Sequence, residues 1–203
     1  MFNLPKSTEI RKPVHKKLIY EKFATELSGN KKEQFDSDIS RIIIINEISE
    51  ASVNIKPKEE IASIFVVQIE MKSSDYNDRN IILVSKLFGQ KLLIVLHYED
   101  EYQLAIYETK LLKSEWQNEK DINLELSGLD MKSVWENLVS QVSGIYATEG
   151  RSLQEQISIE TDKDKLLKQI DKLERMARKE PQSKKKFELH QEIESLKKRV
   201  EEL

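Results

Sequence analysis

The sequence predicts an α/β (α+β) protein: a mixed, largely antiparallel sheet with flanking helices, followed by a C-terminal helical hairpin. Three observations carry this. Runs such as Ile42-Ile43-Ile44-Ile45 and Leu92-Leu93-Ile94-Val95-Leu96 are too short for helices and rich in stiff or aliphatic side chains, as strands buried on both faces are. Stretches with helical spacing of apolar residues alternate with these runs. Beyond Thr161 the chain becomes charged and amphipathic, which accounts for a charged fraction of 34% and an apolar fraction of 38%, against roughly 25% and 45–50% in an ordinary domain.

In chain order, Pro13 suits a helix first turn, and Leu18, Ile19, Phe23 and Leu27 follow at helical spacing until Ser28-Gly29-Asn30 stops them. A short helix over 31–40 offers Phe35 and Ile39. The strand at 41–48 follows, then a short strand Val53-Asn54-Ile55-Lys56 ended by Pro57 and a longer one over 61–72, close enough to pair as a hairpin. Residues 76–88 read as a crossover helix with Gly89 at its C-cap. Lys91–Tyr98 and Tyr102–Leu111 read as an antiparallel strand pair, Ile122–Leu126 as a short strand, and Met131–Tyr146 as a helix with Val134, Leu138, Val142 and Ile145 on one stripe.

Thus residues 1–147 are expected to form the α/β domain, 148–160 a polar linker, and 161–203 the hairpin. In the hairpin Leu166, Ile170, Leu173 and Ala177 recur at intervals of four and three. Pro181 breaks the pattern, and Phe187, Ile193, Leu196, Val200 and Leu203 resume it. Helices of three to five turns are marginal alone, so something must cover each stripe. The other arm of the hairpin, a second copy and a partner protein are the three candidates. Leu166, Ile170, Leu173, Phe187, Ile193, Leu196 and Val200 are therefore the candidate partner-binding residues.

Composition excludes several chemistries. With no cysteine there is no disulfide, thiolate metal site or cysteine nucleophile. The N-terminal residues lack a signal-peptide profile, and no apolar run approaches the roughly 20 residues of a membrane span, so a cytoplasmic location is expected. The three histidines, His15, His97 and His190, show no metal-ligand spacing, and the five isolated glycines form no phosphate-binding loop. No metal site or cofactor is expected outside the nuclease reading below. The net charge of −3 gives no global pull toward nucleic acid. Two local basic clusters, Arg11, Lys12, Lys16 and Lys17, and Lys184, Lys185 and Lys186, are the candidate nucleic-acid contacts.

One constellation suggests catalysis. On a strand, Gln68, Glu70 and Lys72 share a face, and an acid and a lysine so placed hold a divalent metal in the E-x-K half of PD-(D/E)xK nucleases. A helix, a three-stranded meander, a crossover helix and a further strand resemble the core plan of that class. A magnesium-dependent nuclease would need a second carboxylate, where the expected preceding strand carries Asn54, with only Glu59 and Glu60 in the turn that follows. An exposed Glu/Lys pair on a strand is equally an ordinary ion-pair surface.

Leu4-Pro5-Lys6-Ser7-Thr8, the strand end Val67-Gln68-Ile69-Glu70-Met71-Lys72, the strands around Leu92–Leu96 and Leu104–Tyr107, the helix Val134–Val139, and the tail from Ile170-Asp171-Lys172-Leu173-Glu174 to Lys186-Phe187-Glu188-Leu189 resemble the bacterial DUF4391 family over nearly the whole chain. The resemblance implies a genomic setting beside DNA methyltransferases and helicases of restriction-like or phage-defence systems. The expectation is a non-catalytic accessory subunit of such an assembly that docks through its C-terminal helices onto a partner such as the methyltransferase or helicase. A metal-dependent nuclease using Glu70 and Lys72, and a nucleic-acid-binding module, are the alternatives; a homo-oligomer is also compatible.

Overall fold

A computed structural model describes residues 2–148 and 150–203. The chain divides into two compact units, Met1–Gly144 and Ile145–Leu203.

The first unit contains β1 (Glu9–Val14), α1 (Lys16–Lys22), α2 (Asn30–Asp38), β2 (Ile39–Ser49), α3 (Glu50–Val53), β3 (Ser63–Met71), α4 (Asp78–Ser85), β4 (Lys91–Tyr98), β5 (Glu101–Tyr107), β6 (Leu111–Lys113), β7 (Gln117–Asn118) and α5 (Met131–Ser143). Its seven-stranded sheet runs β1-β2-β3-β4-β5-β6, with β7 pairing on β5. Every pairing is antiparallel except β3 with β4. Among the described residues the sheet is therefore mixed and largely antiparallel, as the sequence predicts.

Strand alternation sorts the side chains onto two faces. On one, Val67, Ile69 and Met71 of β3 and Leu92, Ile94 and Leu96 of β4 form a core with Ile19, Phe35, Ile81 and Val84 from α1, α2 and α4. On the other, Ile64 and Val66 of β3, Leu93 and Val95 of β4, and Leu104 and Ile106 of β5 are buried. There α5 reaches β3, β5 and β6 and buries Val134, Trp135, Leu138 and Val142. A start signal that the periodicity did not reveal holds α5: Asp130 at the N-cap accepts the Ser133 N–H at 2.9 Å and a 2.8 Å ion pair from Lys58. Gly128 precedes that turn because a Cβ there would lie 2.7 Å from Val134 N.

Where the elements differ from expectation, the causes are local. Pro13 lies in β1, an edge strand that tolerates a missing N–H donor, and the helix after it is only Lys16–Lys22. Asn54 is not in a strand: it is the left-handed cap (φ 55°) of the short α3, whose start is a Ser49–Ser52 capping box. The expected hairpin of 53–56 with 61–72 is therefore absent, and β3 pairs with β2 and β4 instead. Residues 122–126 form no strand; the Leu124 N–H donates to the Phe2 carbonyl rather than into the sheet. The crossover helix is trimmed to Asp78–Ser85: Asn77 caps its start by accepting the Arg79 N–H, and its C-cap is Lys86, whose N–H bonds to the Ile82 carbonyl, rather than the expected Gly89.

The second unit contains α6 (Leu153–Lys179) and α7 (Ser183–Glu201). The expected linker is helical from Leu153 onward, since Ser152 and Glu155 form a capping box that starts α6 before the apolar repeat begins; its residue 149 lies outside the described residues. Proline disfavours helix in the residue before it, and Glu180 accordingly leaves α6 in an extended conformation (ψ 117°) ahead of Pro181. The two helices then fold onto each other. Leu166, Ile170 and Ala177 bury against Ile193 and Leu196, with Leu173, Leu189 and Val200 packed alongside.

Two tests follow. Replacing Phe35, fully buried between α1, α2 and the sheet, by Ala should cost about 3–5 kcal/mol in urea unfolding. The bond from Lys58 and the Ser133 N–H hold the Asp130 carboxyl down to about 2. An acid depressed on folding contributes stability that is present above its unfolded pKa of about 4 and is lost as pH falls toward the folded value. Between pH 4 and 2 the melting temperature should therefore fall more steeply in the parent protein than in Asp130→Asn.

Candidate functional site

The sheet's second face is apolar under α5 and polar near the C-terminal ends of β3 and β4. Parallel register sets Glu70 opposite His97, antiparallel register sets Arg41 opposite Glu70 and Tyr102 opposite His97, and the four residues form a line across β2, β3, β4 and β5. Glu70 is the hub. Its Oε1 accepts a bond from Gln68 Nε2 at 2.6 Å, and its Oε2 lies 2.7 Å from His97 Nδ1. The His97 ring stacks on Tyr102, with centroids 4.3 Å apart and planes at 14°. Burial, then the charges of Glu119, Glu70 and Asp100, push the Tyr102 phenol up, so its hydroxyl stays protonated beside these carboxylates.

The line is flanked by two openings. The smaller, about 190 Å³, is lined by Glu9, Arg11, Arg41, Asn46, Gln68 and Glu70. Arg11 reaches it from an irregularity in β1 between Glu9 and Lys12, where its own backbone is left-handed (φ 47°). Asn46 is held at the floor by a 2.8 Å bond to the buried Thr8 hydroxyl. The larger, about 820 Å³, lies beside His97 and Tyr102 and includes Asn3, Asp100, Asn118 and Lys120.

Of the three residues expected to act together, Gln68 and Glu70 meet and Lys72 does not join them. β3 ends at Met71. Past that point the chain turns toward α2: the Lys72 N–H donates to the Asp38 carbonyl and its ammonium to the Asp36 carbonyl. The alternation that would have placed Lys72 beside Glu70 no longer applies. Both Glu70 oxygens are already engaged, and its partner is an imidazole rather than an ammonium. With Glu70 ionised, Nδ1 of His97 is the donor and Nε2 is left as the ring atom able to accept a proton. The arrangement is thus a carboxylate–imidazole dyad flanked by two arginines. His97 has no ligand-like neighbours in sequence, and only the parallel register brings Glu70 to it.

The N-terminal basic cluster is dispersed. Arg11 lines the smaller opening, and Lys16 is tied to Asp36 at 2.8 Å and to the Ile39 carbonyl. Lys17 pairs with Glu21, and Lys12 is exposed. The Lys16 network is structural. Burial alone would raise the Asp36 carboxyl, but the bonds from Lys16 and Tyr20 hold it below its ordinary value. Lys184, Lys185 and Lys186 stand exposed together in the first turn of α7. Of the candidate partner-binding residues, Leu166, Leu173, Ile170, Ile193, Leu196 and Val200 belong to the hairpin's own seam, whereas Phe187 is 63% exposed.

A family model described as "Domain of unknown function (DUF4391)" matches residues 2–200. No curated protein and no solved structure matches the chain.

Replacing Glu70 by Ala leaves Gln68 and His97 without their shared acceptor on a half-buried surface. The expected cost is about 1–3 kcal/mol in urea unfolding. Lys72→Ala, by comparison, should leave the His97 ring resonances unshifted in an NMR spectrum, while Glu70→Ala shifts them.

Proposed function

This chain belongs to the DUF4391 family, and from that premise we propose that it is a non-catalytic accessory subunit of a bacterial DNA restriction-modification or phage-defence assembly, docked through its C-terminal hairpin. The observation that carries this reading is the self-sufficiency of the hairpin. Its apolar seam closes between its own two helices, so the unit needs no partner to meet the cost of ordering two helices. It is left with outward-facing apolar side chains, Phe187 at 63% and Leu167 at 52% exposure, on a charged background. A rigid arm of this kind suits attachment of one protein to another, because little ordering entropy remains to be lost on binding.

The first unit supports the same reading from its chemistry. The glutamate and lysine of the E-x-K pattern are each committed to other partners, Glu70 to Gln68 and His97, Lys72 to the end of α2. Nuclease action through that pair would require both sets of bonds to break.

Co-expression with the DNA methyltransferase or helicase encoded beside it tests the proposal. The full chain should co-purify with one of them. Phe187→Ser combined with Leu167→Ser should reduce recovery about tenfold with the hairpin's helical circular dichroism unchanged. Equal recovery by a chain lacking α6 and α7 would sink the docking role. Cleavage of DNA or RNA in magnesium or manganese, lost in Glu70→Ala, would establish the metal-dependent nuclease in its place.

A further inference from the structure

We propose that the closed end of the helical hairpin is a sequence-independent site for the phosphodiester backbone of nucleic acid. The charge distribution is the first observation. Residues 175–187 contain Arg175, Arg178, Lys179, Lys184, Lys185 and Lys186 against the single acid Glu180, a net +5. The chain totals −3, so everything else carries −8. Within the second unit the positive excess lies at this one end; a second basic stretch, the acid-free residues 10–20 with Arg11, Lys12, Lys16 and Lys17, belongs to the first unit.

The structure determines what those cations are free to do. All six are exposed. Arg175 pairs with Asp171 and Arg178 approaches Glu174, but Lys179, Lys184, Lys185 and Lys186 form no ion pair among the described residues. Glu180 is occupied locally by the Gln182 N–H. Across the turn at Pro181, Arg178 of α6 and Lys186 of α7 line one groove of about 360 Å³, with His190 and Lys197 and the acids Glu174 and Glu194 further along it.

Helix stability offers no reason for the arrangement. Lys184, Lys185 and Lys186 occupy the first turn of α7, where cations oppose the helix dipole, and that turn has neither an acid nor a side-chain cap to offset them. Three successive lysines on a helix also fan out by about 100° each, so they cannot form the flat paired surface that matches carboxylates on a protein. Long, flexible point charges spread around a tip suit phosphates, which recur along a backbone and can be met in any register. A membrane surface fits less well, because interfacial helices need a broad apolar face, and here the apolar seam is consumed inside the hairpin. The negative remainder of the chain disfavours broad adhesion and leaves the tip as the contact.

Purified full-length protein without any partner provides the test, which separates this inference from the docking role. Anisotropy of a labelled 20-base-pair duplex should report binding at 50 mM KCl. If four to six phosphates are neutralised, log K should fall against log[salt] with a slope of roughly −3.5 to −5.5, a loss of about 10²–10³-fold by 200 mM. Lys184→Gln/Lys185→Gln/Lys186→Gln should weaken binding at least tenfold and make the slope shallower by roughly 2.7. The matching triple arginine variant should bind like the parent, and Lys12→Gln/Lys17→Gln should change affinity less than twofold. Single-stranded DNA and duplex RNA arms identify which polymer is preferred. Absent binding, or binding indifferent to the triple glutamine change, would overturn the proposal. Equal or tighter binding to phosphatidylglycerol vesicles would overturn it in favour of a membrane surface.

Discussion

Parallel strands cannot be joined by a tight turn, so the side-by-side pairing of β3 and β4 requires a crossover that leaves the sheet, runs back along it and re-enters beside its starting strand. That requirement organises the first unit. The crossover is α4, and its start is anchored by Asp38 at the end of α2, whose carboxylate accepts the Asn77 N–H at 2.9 Å and the Asn80 amide at 2.8 Å. The Asp38 carbonyl accepts the Lys72 N–H just past β3. A single buried acid thus ties together the end of one helix, the exit of the central strand and the start of the next helix. Because β3 and β4 are covered on both faces, they are nearly continuous in apolar residues, as parallel strands must be.

The polar line on the second face follows from the same pairing. β3 and β4 run in the same direction, so their C-terminal ends coincide and the polar residues that close each strand become neighbours. Glu70 therefore meets His97. The turn toward Asp38 that launches the crossover also draws Lys72 off the face it would otherwise share with Glu70. One topological constraint assembles the carboxylate–imidazole dyad and takes apart the carboxylate–lysine pair.

The second unit obeys a different rule. Neither helix has a wide apolar face, and Pro181 prevents a continuous coiled coil, so each arm is satisfied by the other. Lys197 reaches Glu174 across the pair at 3.3 Å, but such an exposed contact adds little beside the apolar seam. The hairpin closes its seam on itself, leaves Phe187 and Leu167 exposed, and holds its excess of positive charge at the closed end.

Much of this was readable from residue order. Short apolar runs located β2, β3 and β4, the four-three spacing located the hairpin, and Pro181 marked its break, because strand and helix periodicities and proline's missing donor are properties of the chain itself. Boundaries were less legible where a capping box overrode periodicity, as Ser49 with Ser52 does before Asn54 and Ser152 does with Glu155. The sequence by itself determined the central strands β2, β3 and β4, the helices α4 and α5, the two arms of the hairpin and where the positive charge lies. Only the tertiary structure decided that β3 and β4 are parallel, that His97 rather than Lys72 faces Glu70, and that the apolar stripes of α6 and α7 cover each other. The physical reason is that strand register and helix pairing are contacts between distant residues, set by how whole faces bury together, and no local spacing encodes them.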